Sequence, residues 1–377
     1  MADRVVEVSG RTDPGKVREG NEDSFAVGDL DTGDLWDGRG VASATGWRGP
    51  LLIVCDGMGG SEGGEVASEM AARTVWREMV EAQATHDPEV FARLLRRAVR
   101  AANRRIFDEA RREISLRGMG TTVSAAGFAG DRLVVATIGD SRAYILRGGV
   151  LTQVSRDQSL VSALIQAGQI SLDEAQSAQA HGAILQAVGV TEDVEPSLSM
   201  IDLRRGDRVL LCTDGLYNQL GEQALAAILG TRRRPDGLAS ALVEAARAAG
   251  GADNITAVIA EVGGELLRPP ASEDDLPRFV EFEPREEGAR ALTSTSYVAR
   301  RLAARVGIGD DPGPPVVPAT GQHRAIKIKP PPQQPPTKPD LAGPARQRLA
   351  SGRSLGVILW LVVAAVAAAV AWWLAGA

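Results

Sequence analysis

The sequence predicts an α+β fold in which antiparallel sheets are covered by helices. Short apolar runs rich in β-branched residues, which are typical of buried strands, mostly follow one another directly along the chain. Amphipathic helical patterns occur in pairs between groups of these runs. A parallel doubly wound sheet would alternate one strand with one helix, so the order of elements favours antiparallel sheets with helices packed on them.

The elements that predict this fold lie within residues 1–262 of the 377-residue chain. The predicted strands are residues 5–8, 25–27, 51–55, 121–128, 132–138, 142–146, 197–203, 208–213 and 255–262. In the predicted helices, apolar residues recur every three or four positions. These helices are residues 65–81, 88–114, 158–167, 171–180, 222–229 and 236–249. The segment 28–49 is rich in Gly and Asp and predicts a loop.

The rest of the chain predicts a linker and a membrane anchor. Proline clusters in residues 263–354 break regular structure and indicate a Pro-rich disordered linker. Residues 355–374 carry no charge and would span about 30 Å as one transmembrane helix, with a buried core helix as the alternative. Arg346, Arg348 and Arg353 precede this run. The positive-inside rule therefore predicts a single-pass protein of the inner (cytoplasmic) membrane with its N-terminal domain in the cytoplasm.

Composition argues against a general nucleic-acid binder, a redox protein and a zinc site. The formal net charge of -6 gives no sign of a general nucleic-acid binder. Cys55 and Cys212 lie inside apolar runs, which favours buried thiols over a disulfide or redox pair. The three histidines lie outside every motif, which argues against zinc and favours an all-oxygen site for magnesium or manganese.

Aspartates stand at the ends of several predicted strands. Asp56, Asp140 and Asp214 each follow an apolar run, and Asp253 comes just before another one. Carboxylates gathered at strand ends would repel one another unless a cation lay among them. Gly57 allows a sharp turn after Asp56 and brings a carbonyl oxygen within reach of a metal. The pattern predicts a metal site built on aspartates.

Two divalent cations bridged by one aspartate would suit phosphate-ester hydrolysis. Such ions lower the pKa of a shared water and offset charge on phosphate oxygens. An arginine fork would complete phosphate recognition, and the candidates are Arg18 and Arg142. A single Asp-Gly pair is usually a turn, and the glycine pairs after Asp56 lack the spacing of a Walker phosphate loop. The prediction therefore depends on the whole set of motifs.

Six motifs occur in a fixed order along the chain: Arg18…Asn21-Glu22-Asp23, Val54-Cys55-Asp56-Gly57-Met58-Gly59-Gly60, Gly118-Met119-Gly120-Thr121-Thr122, Gly139-Asp140-Ser141-Arg142, Cys212-Thr213-Asp214-Gly215-Leu216 and Ala252-Asp253-Asn254-Ile255-Thr256. Together they resemble the motifs of the bacterial PPM-type (protein phosphatase 2C-like) metal-dependent serine/threonine protein phosphatases. The resemblance covers roughly residues 5–262, so that residues 1–262 would form the catalytic domain. It implies a four-layer αββα fold, in which an antiparallel β-sandwich is flanked on both faces by helix pairs.

The resemblance also implies the metal ligands. Asp56 would bridge two Mn2+ or Mg2+ ions and Gly57 would contribute its carbonyl oxygen. Asp214 and Asp253 would ligate the first ion, and Asp140 would bind a third, weaker ion together with Asp214.

Other residues of the motifs would surround these ligands and bind substrate. Arg18 would hold the substrate phosphate, and Glu22 and Asp23 would act on the second ion through water, with Asn254 beside Asp253. The implied reaction is hydrolysis of phosphoserine and phosphothreonine on cytoplasmic proteins by a metal-bridged hydroxide. The implied partners are phosphorylated proteins and a serine/threonine kinase that shares them, and no nucleic acid.

Three positions depart from the family pattern, and two alternatives stay open. Met58 stands where many eukaryotic members have His, which leaves the proton donor for the leaving group undecided. Gln158 and Gln186 replace commoner His and Arg, which affects substrate choice more than metal binding. A catalytically weak or inactive phosphoprotein-binding module at the membrane is one alternative, although none of the metal-binding aspartates is replaced. A phosphatase of a partner-switching pathway is the other.

Overall fold

The computed structural model describes residues 4–36, 40–59, 63–167, 169–170, 183–265, 267–271 and 275–284. The predicted helix at 171–180, most of the predicted linker and the predicted transmembrane helix at 355–374 lie outside these residues. In the part that the structure describes, no helix is both long enough and apolar enough to cross a membrane.

Thirteen strands and five α-helices are described. The strands are β1 (Arg4–Asp13), β2 (Asp23–Asp29), β3 (Asp34–Trp36), β4 (Ala42–Ala44), β5 (Pro50–Met58), β6 (Gly120–Thr121), β7 (Val123–Ala129), β8 (Arg132–Ile138), β9 (Arg142–Arg147), β10 (Val150–Gln153), β11 (Ser197–Asp202), β12 (Arg208–Cys212) and β13 (Ile255–Gly264). The helices are α1 (Gly63–Glu81), α2 (Pro88–Arg112), α3 (Leu160–Gln166), α4 (Asp214–Leu229) and α5 (Pro235–Ala249).

The strands form two antiparallel sheets. One has the order β10-β9-β12-β13-β1-β4 and the other has the order β11-β8-β7-β5-β2-β3, with β6 paired to β5. Neighbouring strands are frequently consecutive in sequence, as β7 with β8 and β9 with β10. This confirms the prediction of antiparallel sheets, since consecutive strands joined by short turns pair in this way.

Three apolar clusters give the fold its layers. The central cluster joins residues from the inner faces of both sheets, such as Leu52 and Val135 of one and Val209 and Val258 of the other. The second cluster packs α1 and α2 on the outer face of the β5 sheet. The third packs α4 and α5 on the outer face of the β12 sheet. The described domain is therefore a four-layer αββα sandwich, which confirms this part of the prediction.

Several element boundaries differ from the prediction. The short strands β3, β4 and β10 lie in segments that sequence patterning assigned to loops or left unassigned, because strands of three or four residues carry too little alternation to recognise. Helix α4 begins at Asp214 rather than at residue 222. Its backbone is kinked at Gly221, where φ is 68°, and the kink hides the first turns from a helical pattern.

The folded domain extends past residue 262, where the sequence analysis placed its end. Leu267 is buried in the central cluster. Residues 275–284, which we call the C-terminal strap, pack along the edge strand β11, where the N–H of Phe282 donates to the carbonyl of Leu198 at 2.8 Å. Asp275 pairs with Arg204 at 2.6 Å. This part of the predicted linker is therefore held on the domain.

Candidate active site

The predicted acidic residues lie where strands of the two sheets end. Asp56 is near the end of β5, and Asp23, the first residue of β2, is its direct antiparallel partner. In the other sheet, Asp214 follows β12 and begins α4, while Asp253 stands just before β13. Because β12 and β13 are also antiparallel neighbours, the end of one and the start of the other meet at the same edge. Asp140 occupies the turn between β8 and β9.

The backbone of Asp56 is fixed on both sides. Its N–H donates to Thr122 Oγ1 at 2.9 Å, and its carbonyl accepts from the Thr122 N–H at 2.9 Å. The Thr121 hydroxyl donates to the same carbonyl at 2.8 Å. The predicted 118–122 motif therefore has a structural task, since it holds the backbone of Asp56 in place at this strand end.

Position 57 favours glycine because the backbone carbonyls of Gly64 and Glu22 approach it closely. A Cβ at this position would lie 2.1 Å from the carbonyl oxygen of Gly64. The Gly57 N–H donates to the carbonyl of Glu22 at 3.1 Å, which ties β5 to the segment before β2. The Glu22 carboxylate lies against Gly64, where a Cβ would come within 2.8 Å of its Oε1. Glu22 is thus held beside the start of α1.

Asp23 is buried, and among the described residues only one of its two carboxylate oxygens has hydrogen-bond partners. Its Oδ2 accepts from the hydroxyls of Thr213 at 2.8 Å and Thr256 at 2.6 Å, which join the two sheets. Its Oδ1 is buried with no hydrogen-bond partner among the described residues. Burial, together with the nearby carboxylates of Asp214 and Asp253, raises the pKa of Asp23 to about 7, although the two threonine hydrogen bonds oppose this. An unpartnered buried oxygen of this kind is an acceptor that suits a ligand.

The aspartates at this edge raise one another's pKa values. Burial and then the charges of Asp23, Asp214 and Asp140 raise the pKa of Asp56 well above its usual range. Burial and then Asp214 raise the pKa of Asp140 to about 7. Burial and then Asp253 raise the pKa of Asp214. A positive ion among these groups would remove the repulsion.

The donor set fits Mn2+ or Mg2+. All of the side-chain donors are carboxylate oxygens, which hard divalent ions prefer, and an orphaned oxygen of Asp23 lies among them. Within the described ranges, no three acidic, cysteine or histidine side chains converge closely enough to outline a complete cation cage. Both oxygens of Asp253 are paired with Arg18 in this structure.

Arg18 forms a fork on Asp253. Its Nε lies 2.8 Å from Oδ1, and its Nη2 donates to Oδ2 at 2.9 Å. The hydrogen bond and charge of Asp253 raise the pKa of Arg18, so the guanidinium is a fixed cation. The Arg18 side chain is 55% exposed, so it can reach an incoming ligand from the aspartate cluster.

Asn254 clamps the loop that carries Arg18. Its Oδ1 accepts from the Glu22 N–H at 2.8 Å, and its Nδ2 donates to the carbonyls of Pro14 at 3.0 Å and Gly20 at 2.9 Å. One amide thus closes both ends of the loop between β1 and β2. Its task is to hold Arg18 and Glu22 in place.

Arg142 does not serve as the second candidate for phosphate recognition. Its Nη2 lies 2.7 Å from Asp157 Oδ2 in a largely buried ion pair, and its guanidinium stacks over the Tyr217 ring at 3.8 Å. The Tyr217 hydroxyl donates to the carbonyl of Asp140 at 3.1 Å. Arg142 therefore supports the turn that carries Asp140. Sequence reasoning missed Tyr217, and its place one helical turn after Asp214 was the available signal.

The two glutamines that depart from the family pattern act as backbone braces. Gln158 accepts from the Gly139 N–H at 3.2 Å and donates to the carbonyl of Glu195 at 3.1 Å. Gln186 accepts from the Glu195 N–H at 3.0 Å. Gln158 therefore joins the turn of Asp140 to Glu195, and Gln186 braces the backbone at Glu195.

Met58 lies at the end of the strand that carries Asp56, and the two cysteines lie in the interior. Met58 is the last residue of β5 and pairs with Gly120. Cys55 and Cys212 are both buried free thiols, as predicted.

Comparison with known proteins identifies relatives of this arrangement. Residues 39–245 match the family model described as Protein phosphatase 2C. The chain is 36% identical over 251 residues to the serine/threonine phosphatase stp of Listeria monocytogenes, covering 67% of this chain and 94% of the relative. It is 38% identical over 263 residues to the serine/threonine protein phosphatase PstP of Mycobacterium tuberculosis, covering 68% of this chain and 45% of that protein.

Solved structures share the fold. The crystal structure of the Mycobacterium tuberculosis phosphatase PstP/Ppp superposes with a TM-score of 0.59 at 36% identity, over 69% of this chain and 99% of that chain. The catalytic domain of PstP in complex with two manganese ions superposes with a TM-score of 0.57 at 36% identity, over the same shares of the two chains, 69% and 99%.

Proposed function

Since the chain belongs to the protein phosphatase 2C family of serine/threonine phosphatases, we propose that it hydrolyses phosphoserine and phosphothreonine esters in cytoplasmic proteins. The observation that carries the proposal is the exposed Arg18 fork beside the Asp56 cluster, because it sets a phosphate-binding cation next to a site for hard metal ions. A serine/threonine kinase that acts on the same proteins is the partner class that this activity implies.

The acidic residues of the site would bind the metal ions. Asp56, Asp214 and Asp253, with the carbonyl of Gly57, would hold two Mn2+ or Mg2+ ions, and Asp140 with Asp214 would hold a third, weaker one. When bound, such ions activate water and offset the charge on phosphate oxygens. This assignment is supported by the relative whose structure is described with two manganese ions.

Arg18 would orient the substrate. Its planar fork matches two phosphate oxygens as well as it matches the two oxygens of Asp253. Turning from Asp253 to the phosphate would keep the ester beside the carboxylate cluster. The orphaned oxygen of Asp23 and the carboxylate of Glu22 would accept hydrogen bonds from water at the same edge, and burial raises the pKa of both groups.

The direct test uses the full-length chain in detergent with a phosphothreonine peptide and Mn2+. We expect phosphate release by the wild type and its loss in Asp56→Ala, whereas Asp131→Ala, which removes an exposed carboxylate from the turn between β7 and β8, should be as active as the wild type. Hydrolysis without divalent cations, or an active Asp56→Ala protein, would contradict the proposal. Binding of the peptide without turnover would favour the non-catalytic module.

We also propose that residues 355–374 tether the enzyme to the inner membrane with the catalytic domain in the cytoplasm. The support is the uncharged run itself and the arginines that precede it. Full-length protein should sediment with the membrane fraction, and removal of residues 353–377 should release it to the supernatant. Full-length protein in the soluble fraction would refute the tether without touching the catalytic proposal.

A further inference from the structure

A groove of about 560 Å³ lies at the C-terminal end of α2, outside the aspartate cluster. Its volume is within the range of sites that take a side chain or small ligand. We call it the α2 groove, and it is lined by Phe107, Ala110, Arg111, Arg117, Gly118, Gly189 and Val190.

One wall of the α2 groove is fixed to the helix by a buried asparagine. Asn103 accepts from the Gly189 N–H at 2.7 Å and donates to the carbonyls of Thr191 at 3.0 Å and Glu192 at 2.9 Å. Its side chain is buried, so these hydrogen bonds are shielded from water. The groove is therefore preformed, which lowers the entropy lost when a ligand binds.

The groove borders the active site. Val190 packs over Gly120, where an added Cβ would lie 2.6 Å from its Cγ2 and 3.6 Å from Met58 Cγ. Met58 follows Asp56 by two residues on β5. Because Arg117 precedes Gly120 by three residues, it lies within roughly 11 Å of that strand pair along the chain. A substrate peptide whose phosphate lies at the Asp56 cluster would therefore have this groove within reach of a few extended residues.

The α2 groove is lined by apolar side chains and by two positively charged ones. Phe107, Ala110 and Val190 supply apolar surface, and Val190 is 50% exposed. Arg111 and Arg117 supply two exposed guanidinium groups, and none of the described residues that line the groove carries a carboxylate. Neither guanidinium forms an ion pair with another described residue, although Arg111 stacks over the Phe107 ring at 5.6 Å. Such cations are available to an anionic partner.

We propose that the α2 groove binds an apolar residue next to an Asp or Glu in the substrate protein, a few residues from the phosphorylated side chain. A carboxylate is the suitable anchor because the enzyme's own reaction, as proposed above, does not remove it. The inference rests on the proposed phosphatase function and adds a substrate class to it: phosphoproteins with an acidic, apolar sequence beside the phosphosite. Arg111 and Arg117 determine this specificity and take no part in the chemistry.

The test uses phosphothreonine peptides that differ at one dipeptide. Leu-Glu, Leu-Gln or Leu-Lys is placed about two to six residues from the phosphothreonine, which spans the reach of an extended chain to the groove. Hydrolysis by the full-length protein is compared with hydrolysis of p-nitrophenyl phosphate, which is too small to reach the groove. Affinity for the same peptides with a non-hydrolysable phosphonate is measured by fluorescence anisotropy, so binding is tested without turnover.

At the best spacing, we expect the Leu-Glu peptide to exceed Leu-Gln by about five- to tenfold in kcat/KM and in affinity, as two partly exposed ion pairs would give. Arg111→Gln with Arg117→Gln should abolish this preference, and Arg117→Glu should shift it towards Leu-Lys. Arg112→Gln is the matched control, because Arg112 is on the same helix end but pairs with Glu109 at 3.8 Å. Activity on p-nitrophenyl phosphate should be unchanged in all of these variants.

The inference would be overturned if the wild type and the double variant preferred the Leu-Glu peptide over Leu-Gln to the same extent. It would also be overturned if Arg112→Gln lost this preference as fully as the double variant, because that result would reveal only a general charge effect. No hydrolysis of any substrate by the wild type would refute the proposed function instead. The anisotropy measurement would still decide whether the groove selects the Leu-Glu peptide.

Discussion

Replacing Asn254 by Ala tests whether one side chain orders the loop that carries Arg18. The substitution removes three hydrogen bonds, to the Glu22 N–H and to the carbonyls of Pro14 and Gly20. At a net value of about 1 kcal/mol each, the loop should lose roughly 2–3 kcal/mol of local stability, since Asn254 is buried and water can replace only part of the lost hydrogen bonding. The population of the open loop should then rise by about 30- to 150-fold.

Limited trypsin digestion measures this opening directly, because cleavage after Arg18 follows the open population when opening is fast. We expect cleavage after Arg18 to accelerate by a similar factor in Asn254→Ala. Activity on a small phosphate ester should fall by about ten- to a hundredfold, because a misplaced binding group costs rate even when it is present. Thr231→Ala is the control, since the exposed Thr231 hydroxyl makes one hydrogen bond, to the carbonyl of Ile228 at 2.8 Å, and contacts neither the loop nor a proposed metal ligand.

A double-mutant cycle separates loop positioning from general damage. If Asn254 acts through Arg18, then Asn254→Ala should cost little activity in an Arg18→Ala background. Additive losses, or unchanged tryptic cleavage in Asn254→Ala, would refute the role of the clamp.

Three further predictions concern packing, pH and metal. Gly57→Ala should destabilise the fold by about 1–3 kcal/mol in urea unfolding, because its Cβ would lie 2.1 Å from the Gly64 carbonyl, whereas Gly20→Ala meets nothing within 4 Å and should be near neutral. The Arg204 hydrogen bond lowers the pKa of Asp275. The stability that this pair contributes is therefore fully present above the usual Asp pKa of about 4, and it is lost as the pH falls through the lower pKa that Asp275 has in the folded state. Amide exchange in the C-terminal strap should therefore rise in acid before that of β13, and the reverse order would contradict this assignment. A chelator should abolish phosphate release, and added Mn2+ should restore it; activity that survives chelation would exclude the proposed metal dependence.

The C-terminal strap bears on the proposed membrane tether, because it fixes where the chain leaves the domain. Arg156 pairs with Glu281 at 3.0 Å, and Phe282 bonds the edge of β11, so the chain leaves the domain from a fixed place on the second sheet. The composition of residues 263–354 gave no sign of this, because proline and charge predict a lack of regular structure and say nothing about docking by single contacts.

The sequence by itself determined the long strands and helices of this protein and the type of chemistry that its aspartates suit. Strands such as β5 and β8 are continuous apolar runs, and helix α2 repeats its apolar residues at helical spacing, so local patterning was enough to predict them. The aspartates at the strand ends could be recognised for the same reason, since each follows or precedes a run that can only be buried.

Only the tertiary structure decided which groups act together. Asn254 and Glu22 are 232 residues apart, and Thr213 and Asp23 are 190 apart, yet each pair is hydrogen-bonded. Arg142 and Arg18 looked equivalent in the sequence, and they differ because Asp157 pairs with the first in the interior while the second stays half exposed. Local patterns fix strands and helices, but the packing of one sheet on the other sets the distances between side chains, and those distances determine the site.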